Sequence, residues 1–503
     1  MKTIKHIAGL LLAMPMLTAC SNSFLEVESP TQDFIDTYFT TDEHIKEAVV
    51  AAYDPLHWSD WAMGQYNPLC IMSDIMADDI WVGGSDRTDN QFWHLMMNYE
   101  AQPTNCMSGI WTVAYSGVKR CNDVITYLGW AKDVTETNAK YYTAQVEVLK
   151  ALYWTWLWKF YGNVPYYEKN LTEAPYLAPQ ITADELYGKI IGILDAAIAL
   201  DALKMKASPE DYGRVTKAMA YMLYAEVVMY QNDESRMPTA LKYMKEIINS
   251  KDYSLEPDYT ILFTEYGEWC DESIFEINYK SKDAIRSWGN PLAAGGTVLP
   301  RLISPNGWTD GVAGHDNGWG FAPVRVETYL RYADGDSRRD ATCWNAAAEG
   351  SYNPRYQDTG FFLAKYVAIT GGNADQKADG DLNYNNNLRI YRYSECLLNA
   401  AELVARGFGD GDASTWLNDV HHRAGLSDNL PVSVDNILEE RHLEFVGEGK
   451  RYWDLVRSGK AASVLVPDIY GYRTNTWSPS KKYLPIPQSE IDAAQGTLKQ
   501  NNY

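Results

Sequence analysis

The sequence predicts an all-α dominated protein, in which paired helices form the scaffold and a loop-rich region interrupts them. Two observations predict this class, and a third concerns possible ligand contact. Apolar residues recur at helical spacing through the first half of the chain and again near its end. Gly, Pro, Asn and Asp cluster between about 253 and 387. The chain also has 17 Trp and 36 Tyr against only 12 Phe, and rings with a polar edge suit half-buried positions in clefts and interfaces.

The N-terminus is predicted to be an export signal over residues 1–19. Lysines precede an apolar run over residues 7–19. A helix of that length spans about 20 Å, short of the ~30 Å hydrocarbon core of a bilayer. The signal ends in Leu17-Thr18-Ala19-Cys20, which resembles the bacterial lipobox. We therefore predict that Cys20 is lipidated and that residues 20–503 form one mature domain, anchored to a membrane by lipid.

Six further cysteines remain in an exported chain, enough for three disulfides in 15 possible pairings. No Cys-x-x-Cys pair occurs, so neither a zinc ribbon nor a thioredoxin-like site is indicated. Several of these cysteines fall in helical apolar patterns, where Cys behaves as a small hydrophobe. We predict mostly free, buried thiols at Cys70, Cys106, Cys121, Cys270, Cys343 and Cys396.

Helical periodicity predicts the scaffold. Leu186, Ile190, Ile193, Ala197 and Leu200, for example, form one apolar stripe. Short loops between such helices favour antiparallel neighbours, as in tetratricopeptide repeats, although no strict 34-residue consensus is visible. We expect helices over 110–128, 141–161, 184–200 and 215–230, a shorter one after Pro238, and then from 387, over 415–424 and over 435–445.

The segment from about 253 to 387 is predicted to form long loops inserted in this scaffold. Its Gly- and Asn-rich stretches include Trp288, Trp308, Trp319 and Trp344. Long ordered loops on a rigid scaffold usually carry function.

Catalytic and cofactor motifs are absent from the sequence: it has no HExxH, P-loop, GxSxG or strand-borne dinucleotide motif. Residues 379–385 resemble the start of a calcium loop, but Tyr384 stands where the turn needs Gly and Ile390 where the bidentate Glu belongs. We predict a solvated turn there, with adventitious calcium as the alternative, and no cofactor. The net charge of −22 argues against a nucleic-acid partner.

Six segments, in order along the chain, resemble the SusD/RagB family of Bacteroidetes outer-membrane nutrient-binding lipoproteins. The most specific is Glu439-Glu440-Arg441 with Glu444-Phe445, Glu448-Gly449 and Arg451-Tyr452-Trp453-Asp454-Leu455. Its charges three or four residues apart also predict pairing along a helix that pins the C-terminal helices together. The other five are 24–30, 158–166 with its Gly-Asn-Val-Pro-Tyr turn, Gly-Arg-Val-Thr-Lys-Ala at 213–218, Arg-Tyr-Ser-Glu-Cys-Leu-Leu within 392–402, and 483–501.

The resemblance implies a SusD-like fold, no catalytic activity, and a partner, a SusC-like TonB-dependent transporter, to which the protein delivers oligosaccharides or other nutrients. It also implies a place on the outer face of the outer membrane. One departure is that Ser21-Asn22-Ser23 is neutral, whereas family members often carry acidic residues after the lipidated cysteine.

No motif of the family fixes the ligand contacts, so these are predicted from chemistry. Sugars stack their C–H faces on Trp and Tyr and present hydroxyls to Asn, Asp and Arg. Two loop regions offer both kinds of residue. The predicted ligand-binding residues are Trp81, Arg87, Asn90 and Trp93 in the first region, and Trp288, Asn290, Trp308 and Trp319 in the second.

Two other functions remain open at this point. A surface glycoside hydrolase would need two carboxyl groups at a set separation, and 66 acidic residues offer many pairs without singling one out. A transporter-interaction protein that binds peptide or another nutrient would use its aromatic residues for protein contacts.

Overall fold

The computed structural model describes residues 35–310 and 314–503. The predicted signal over residues 1–19 and the predicted lipidation site Cys20 lie outside the described residues. Within these ranges the fold is dominated by 19 helices, with ten short strands that form only two-stranded sheets. The predicted all-α dominated class is confirmed.

Nine helices of eleven residues or more form the scaffold. None of the helices in the described ranges has both the length and the apolarity needed to cross a bilayer. The nine scaffold helices are α2 (Asp42–Tyr53), α5 (Gly109–Trp130), α6 (Glu136–Tyr161), α7 (Ala183–Ala199), α8 (Lys217–Gln231), α9 (Met237–Ser250), α14 (Tyr393–Ala405), α15 (Ala413–Arg423) and α16 (Val434–Phe445).

The remaining elements are short. The other helices are α1 (Ile35–Tyr38), α3 (Leu69–Asp74), α4 (Gln91–Met97), α10 (Leu299–Ile303), α11 (Val326–Arg331), α12 (Arg338–Thr342), α13 (Ala346–Glu349), α17 (Arg451–Arg457), α18 (Ala461–Val464) and α19 (Gln488–Ala493). The strands are β1 (Trp61–Ala62), β2 (Gln65–Tyr66), β3 (Val164–Pro165), β4 (Gln180–Ile181), β5 (Ser273–Ile277), β6 (Thr309–Asp310), β7 (Cys343–Asn345), β8 (Gly350–Ser351), β9 (Phe361–Leu363) and β10 (Leu388–Arg392).

The long helices start and end where the sequence gives physical reasons. Thr182 caps α7 by accepting a hydrogen bond from the amide of Glu185, whose side chain accepts one in return from the Thr182 amide. Helix α6 ends at Gly162, whose φ of 69° suits glycine and whose added Cβ would lie 2.8 Å from the Tyr483 ring. These local signals explain why the predicted boundaries lie close to the observed ones.

Successive long helices pack side by side. Helices α5 and α6, α6 and α7, α7 and α8, α8 and α9, and α14 and α15 are neighbours. Helix α9 packs on α14, although residues 251–392 separate the two in sequence. The loop-rich region is therefore inserted between two adjacent scaffold helices, and it has their side-by-side stack as its support.

The expectation that helix resumes at 387 is wrong. Residues Leu388–Arg392 form strand β10, which pairs antiparallel with β5, and α14 begins only at Tyr393. Four of the five β10 residues are buried, so pairing with a distant strand satisfies backbone groups that water cannot reach. Local periodicity carries no information about that partner.

The charge run near the C-terminus forms a buried ion-pair network, but not along its own helix as predicted. Glu444 contacts three arginines from elsewhere: Arg338 at 3.3 Å, Arg392 at 2.9 Å, and Arg423. Burial alone would raise the pKa of Glu444, yet these guanidinium groups hold that pKa well below its ordinary value. The prediction that the charge run has a structural role is thus supported, and its ion pairs join separate elements of the fold.

All six cysteines in the described residues are free thiols. Cys70, Cys106, Cys121, Cys343 and Cys396 are buried, and Cys270 is half-buried. Burial raises the pKa of the Cys106 thiol to about 12, so it stays protonated at neutral pH. The prediction of free, mostly buried thiols is confirmed for these residues.

Candidate functional site

Three of the predicted ligand-contacting tryptophans are buried, which corrects their assignment. Trp81, Trp93 and Trp308 expose 1%, 0% and 6% of their surface. The Arg325 guanidinium lies 3.6 Å from the centre of the Trp81 ring, and Trp308 packs edge-on against Trp344 at 4.6 Å. With their faces covered by protein, these rings have no surface on which a sugar could stack.

The predicted polar residues of the first loop region, Arg87 and Asn90, differ in their surroundings. Asn90 is the residue before α4, with φ 48°, and its carbonyl oxygen accepts a hydrogen bond from the Trp93 amide. Arg87 is exposed on the surface. Of the four residues predicted in the first region, only Arg87 and Asn90 therefore reach the surface, because both tryptophans are buried.

Trp288 and Trp319 from the second region do come together, and two residues that the sequence analysis missed join them. We call the four rings of Trp61, Tyr66, Trp288 and Trp319 the aromatic platform. Trp288 and Trp319 are stacked with centroids 6.0 Å apart, Trp61 lies 5.5 Å from Trp288, and Tyr66 lies 5.6 Å from Trp319. Trp288 is 40% exposed, and the other three rings are half-buried.

A tight hairpin supplies Trp61 and Tyr66. Strands β1 and β2 pair so that these two residues lie directly opposite each other, with ring centroids 4.7 Å apart. The two residues at the tip, Met63 and Gly64, both have positive φ, as a two-residue hairpin turn requires. Beneath the hairpin, the buried Trp93 donates from its indole nitrogen to the Tyr66 carbonyl oxygen at 3.0 Å. Trp93 therefore positions the platform without belonging to its surface.

A buried ion pair ties the hairpin to the loop that carries Trp288. Asp60, next to Trp61, accepts two hydrogen bonds from the Arg286 guanidinium at 2.7 and 3.0 Å. Arg286 stands two residues before Trp288, and its guanidinium also donates to the Trp61 carbonyl oxygen at 3.0 Å. Both charged side chains are only 2–3% exposed. Two segments 226 residues apart in sequence are thus fixed to each other at the base of the platform.

The loop of residues 379–385, whose sequence resembles the start of a calcium loop, holds the backbone of the platform in place. The Asp379 carboxylate accepts a hydrogen bond from the Trp288 amide at 2.9 Å. Asp381 forms an ion pair with Arg301 at 3.0 Å, and the Asn383 side-chain oxygen accepts from the Gly296 amide at 3.1 Å. Each of these oxygens thus has a protein donor, and adventitious calcium stays a prediction.

Polar groups border the rings. The backbone oxygen of Arg301 accepts a hydrogen bond from the Trp319 amide at 2.9 Å, which places the Arg301–Asp381 pair beside the platform. Asn290 is exposed in the turn that follows Trp288. Burial, with smaller effects of Asp89 and Asp381, raises the pKa of Tyr66 to about 12. Its hydroxyl is therefore neutral at physiological pH and can both donate and accept hydrogen bonds.

This arrangement suits a flat, hydroxyl-rich ligand in an open site. Exposed ring faces supply apolar contact, while the border supplies donors and acceptors that orient a ligand. A cavity of about 600 Å³ lies elsewhere, between the start of α5, the loop of residues 165–177 and α19. We place the candidate site on the platform because it has aromatic rings and charged groups close together.

Comparisons with known proteins show the family of the chain. Residues 220–503 match the model of the SusD family. The chain belongs to the SusD family. Residues 23–229 match a second family, described as starch-binding and associating with the outer membrane. The matched family is non-catalytic, which sets the hydrolase alternative aside.

Solved structures similar to this SusD family member include surface glycan-binding proteins. Surface glycan-binding protein A from Bacteroides thetaiotaomicron, in complex with laminarihexaose, is 66% identical with a TM-score of 0.90, covering 92% of this chain and 100% of that one. Surface glycan-binding protein A from Bacteroides uniformis is 51% identical with a TM-score of 0.85 over 92% and 100% of the two chains. A laminarin-binding SusD-like protein is 27% identical with a TM-score of 0.82 over 92% and 99%.

Proposed function

We propose that this protein binds laminarin-type glycans on the aromatic platform and does so without catalysis. The observation that carries the proposal is the convergence of four aromatic rings, Trp288 being 40% exposed, with neighbouring charged and amide side chains. A surface of that composition stacks sugar rings and orients their hydroxyls. The choice of laminarin over other glycans is supported by the 66% identical protein that holds laminarihexaose and by the laminarin-binding relative.

The proposal extends to where the protein works. The family description supports association with the outer membrane. We propose that Cys20 carries the lipid that anchors the chain there and that the bound glycan passes to a SusC-like TonB-dependent transporter. A binding protein held at the transporter raises the local concentration of ligand at its entrance.

Calorimetry of the purified mature protein against a panel of oligosaccharides tests the ligand class. The panel contains laminarihexaose, maltohexaose and cellohexaose at equal chain length, so only the linkage differs. We expect heat of binding with laminarihexaose and at least tenfold weaker binding of the other two. Preferential binding of maltohexaose would instead assign the platform to starch, and no binding of any of the three would refute glycan binding.

A double variant links the binding to the platform. Trp288→Ala combined with Trp319→Ala removes the stacked pair, and we expect no measurable binding of laminarihexaose. Trp130→Ala is the matched control, because Trp130 is 39% exposed, almost the same as Trp288, but stands at the end of α5 against Tyr127. Equal affinity of the double variant and the control would refute the site.

A further inference from the structure

A second exposed aromatic surface lies outside the platform, and we call it the tyrosine ridge. It consists of Tyr356, Tyr472 and Tyr470. Ring centroids of Tyr356 and Tyr472 are 5.4 Å apart, and Tyr472 and Tyr470 are stacked at 5.8 Å. Tyr470 is 49% exposed, and the other two rings are half-buried.

The buried Trp81 supports this ridge from below. Its ring meets Tyr472 edge-on at 5.1 Å and Tyr470 at 6.0 Å, while Arg325 covers another part of it. The Tyr470 hydroxyl donates to Glu327 at 3.0 Å, which fixes the ring further. The rings are therefore held in place before any ligand arrives, and this lowers the entropic cost of binding.

The ridge continues from the platform. The Gly84 amide donates to the carbonyl oxygen of Gly320, the residue after Trp319, at 3.1 Å, and the Gly84 carbonyl oxygen accepts from the Tyr356 amide at 3.0 Å. Gly84 therefore connects the backbone next to Trp319 to the backbone of Tyr356 through two hydrogen bonds. The side chain of Arg355, the residue before Tyr356, packs against Gly320.

A free cation accompanies the rings. Arg87 is exposed and makes no ion pair or hydrogen bond with any residue that the structure describes. It lies close enough to Tyr356 and His94 to influence their protonation. An exposed guanidinium near Tyr356 offers five hydrogen-bond donors to a ligand.

We propose that the tyrosine ridge and Arg87 bind the same glycan chain farther along, so that a polymer spans the ridge and the platform while a short oligosaccharide occupies the platform alone. This inference rests on the proposed function. Continuity with the platform and pairing of rings with an unpaired hydrogen-bond donor favour a glycan as the occupant. The neighbouring Ile469, 88% exposed, is the residue that a protein partner would use instead.

The test compares ligand lengths on the isolated mature protein. The variant is Tyr470→Ala with Arg87→Ala, both at exposed positions. Calorimetry measures its affinity for laminarihexaose and for polymeric laminarin, expressed per binding site. We expect the polymer affinity to fall about tenfold, as for the loss of two well-placed contacts, with hexaose affinity within twofold of the unmodified protein. Tyr470→Phe, which keeps the ring, is expected to retain polymer affinity.

The alternative outcomes separate the two proposals. Unchanged polymer affinity in the double variant would overturn the ridge, and so would an equal loss for hexaose and polymer. Loss of binding only in Ile469→Ala would also overturn it, by pointing to apolar docking. The platform is judged independently by Trp288→Ala with Trp319→Ala. Unchanged hexaose affinity in that variant would refute the platform, whereas unchanged polymer affinity in Tyr470→Ala with Arg87→Ala would refute the ridge alone.

Discussion

Replacing Trp288 by alanine should weaken laminarihexaose binding by an amount that follows from its exposure. The residue is 40% exposed, which for a large aromatic side chain of about 250 Å² corresponds to about 100 Å². Covering that area with a sugar is worth about 2.5 kcal/mol at most, at about 25 cal/mol per Å². Ordering the ligand offsets part of this gain, so we expect a loss of about 1–2 kcal/mol, or a five- to thirtyfold weaker affinity.

Isothermal titration calorimetry of Trp288→Ala and Trp130→Ala at one temperature measures this difference. Trp130→Ala removes a tryptophan of equal exposure, so it controls for general effects of deleting an indole. Thermal unfolding of both variants confirms that they are folded. If Trp288→Ala binds as tightly as the control while remaining folded, the reasoning from ring exposure to sugar affinity is refuted.

Three further predictions concern the supports of the site and the membrane anchor. Asp60→Asn leaves the Arg286 guanidinium buried beside a neutral amide. Chemical denaturation should therefore show a loss of about 3 kcal/mol in unfolding free energy, and laminarihexaose binding should weaken. An unchanged stability would contradict the role of this pair. Glu444→Gln should cost a similar amount at pH 7 and a smaller amount at pH 3, because a carboxyl with a depressed pKa gives its full stabilisation above its ordinary pKa and loses it progressively as the pH falls towards the depressed folded-state pKa; equal costs at both pH values would show that charge is not responsible. Cys20→Ala should move the protein from the detergent phase to the aqueous phase in a Triton X-114 partition, and retention in the detergent phase would rule out anchoring through Cys20.

Much of the scaffold could be predicted because its signals are local. The stripe from Leu186 to Leu200 matches α7, and Gly162 ends α6 where its sequence stops favouring helix. Strand β10 could not be predicted in this way. Its partner β5 lies more than 100 residues away in sequence, and pairing with it overrides the local preference.

The site was predictable only in part, for a similar reason. Trp288 and Trp319 stand on Gly- and Asn-rich loops, and composition alone indicated them. Trp81 stands in the same kind of sequence, but its segment pairs with residues 320–324 and its ring becomes buried. Trp61 and Tyr66 were missed, because strands of two residues are too short to give any periodicity, and only their hairpin tip with Gly64 signals a turn.

The residues of the family motifs and the rings of the platform occupy different parts of the sequence. Glu444, Arg392 and other residues of the resembling segments lie in the buried ion-pair network, where they join scaffold elements. All four rings of the platform lie outside the six resembling segments. Under the proposed function, substitutions at the platform would therefore change the bound glycan without disturbing the network that holds the helices, whereas a change in Glu444 removes a carboxylate that three buried guanidinium groups share. We accordingly expect that exchanging the platform rings with those of a starch-binding relative would transfer ligand preference at little cost in stability, because the residues that define the fold are untouched.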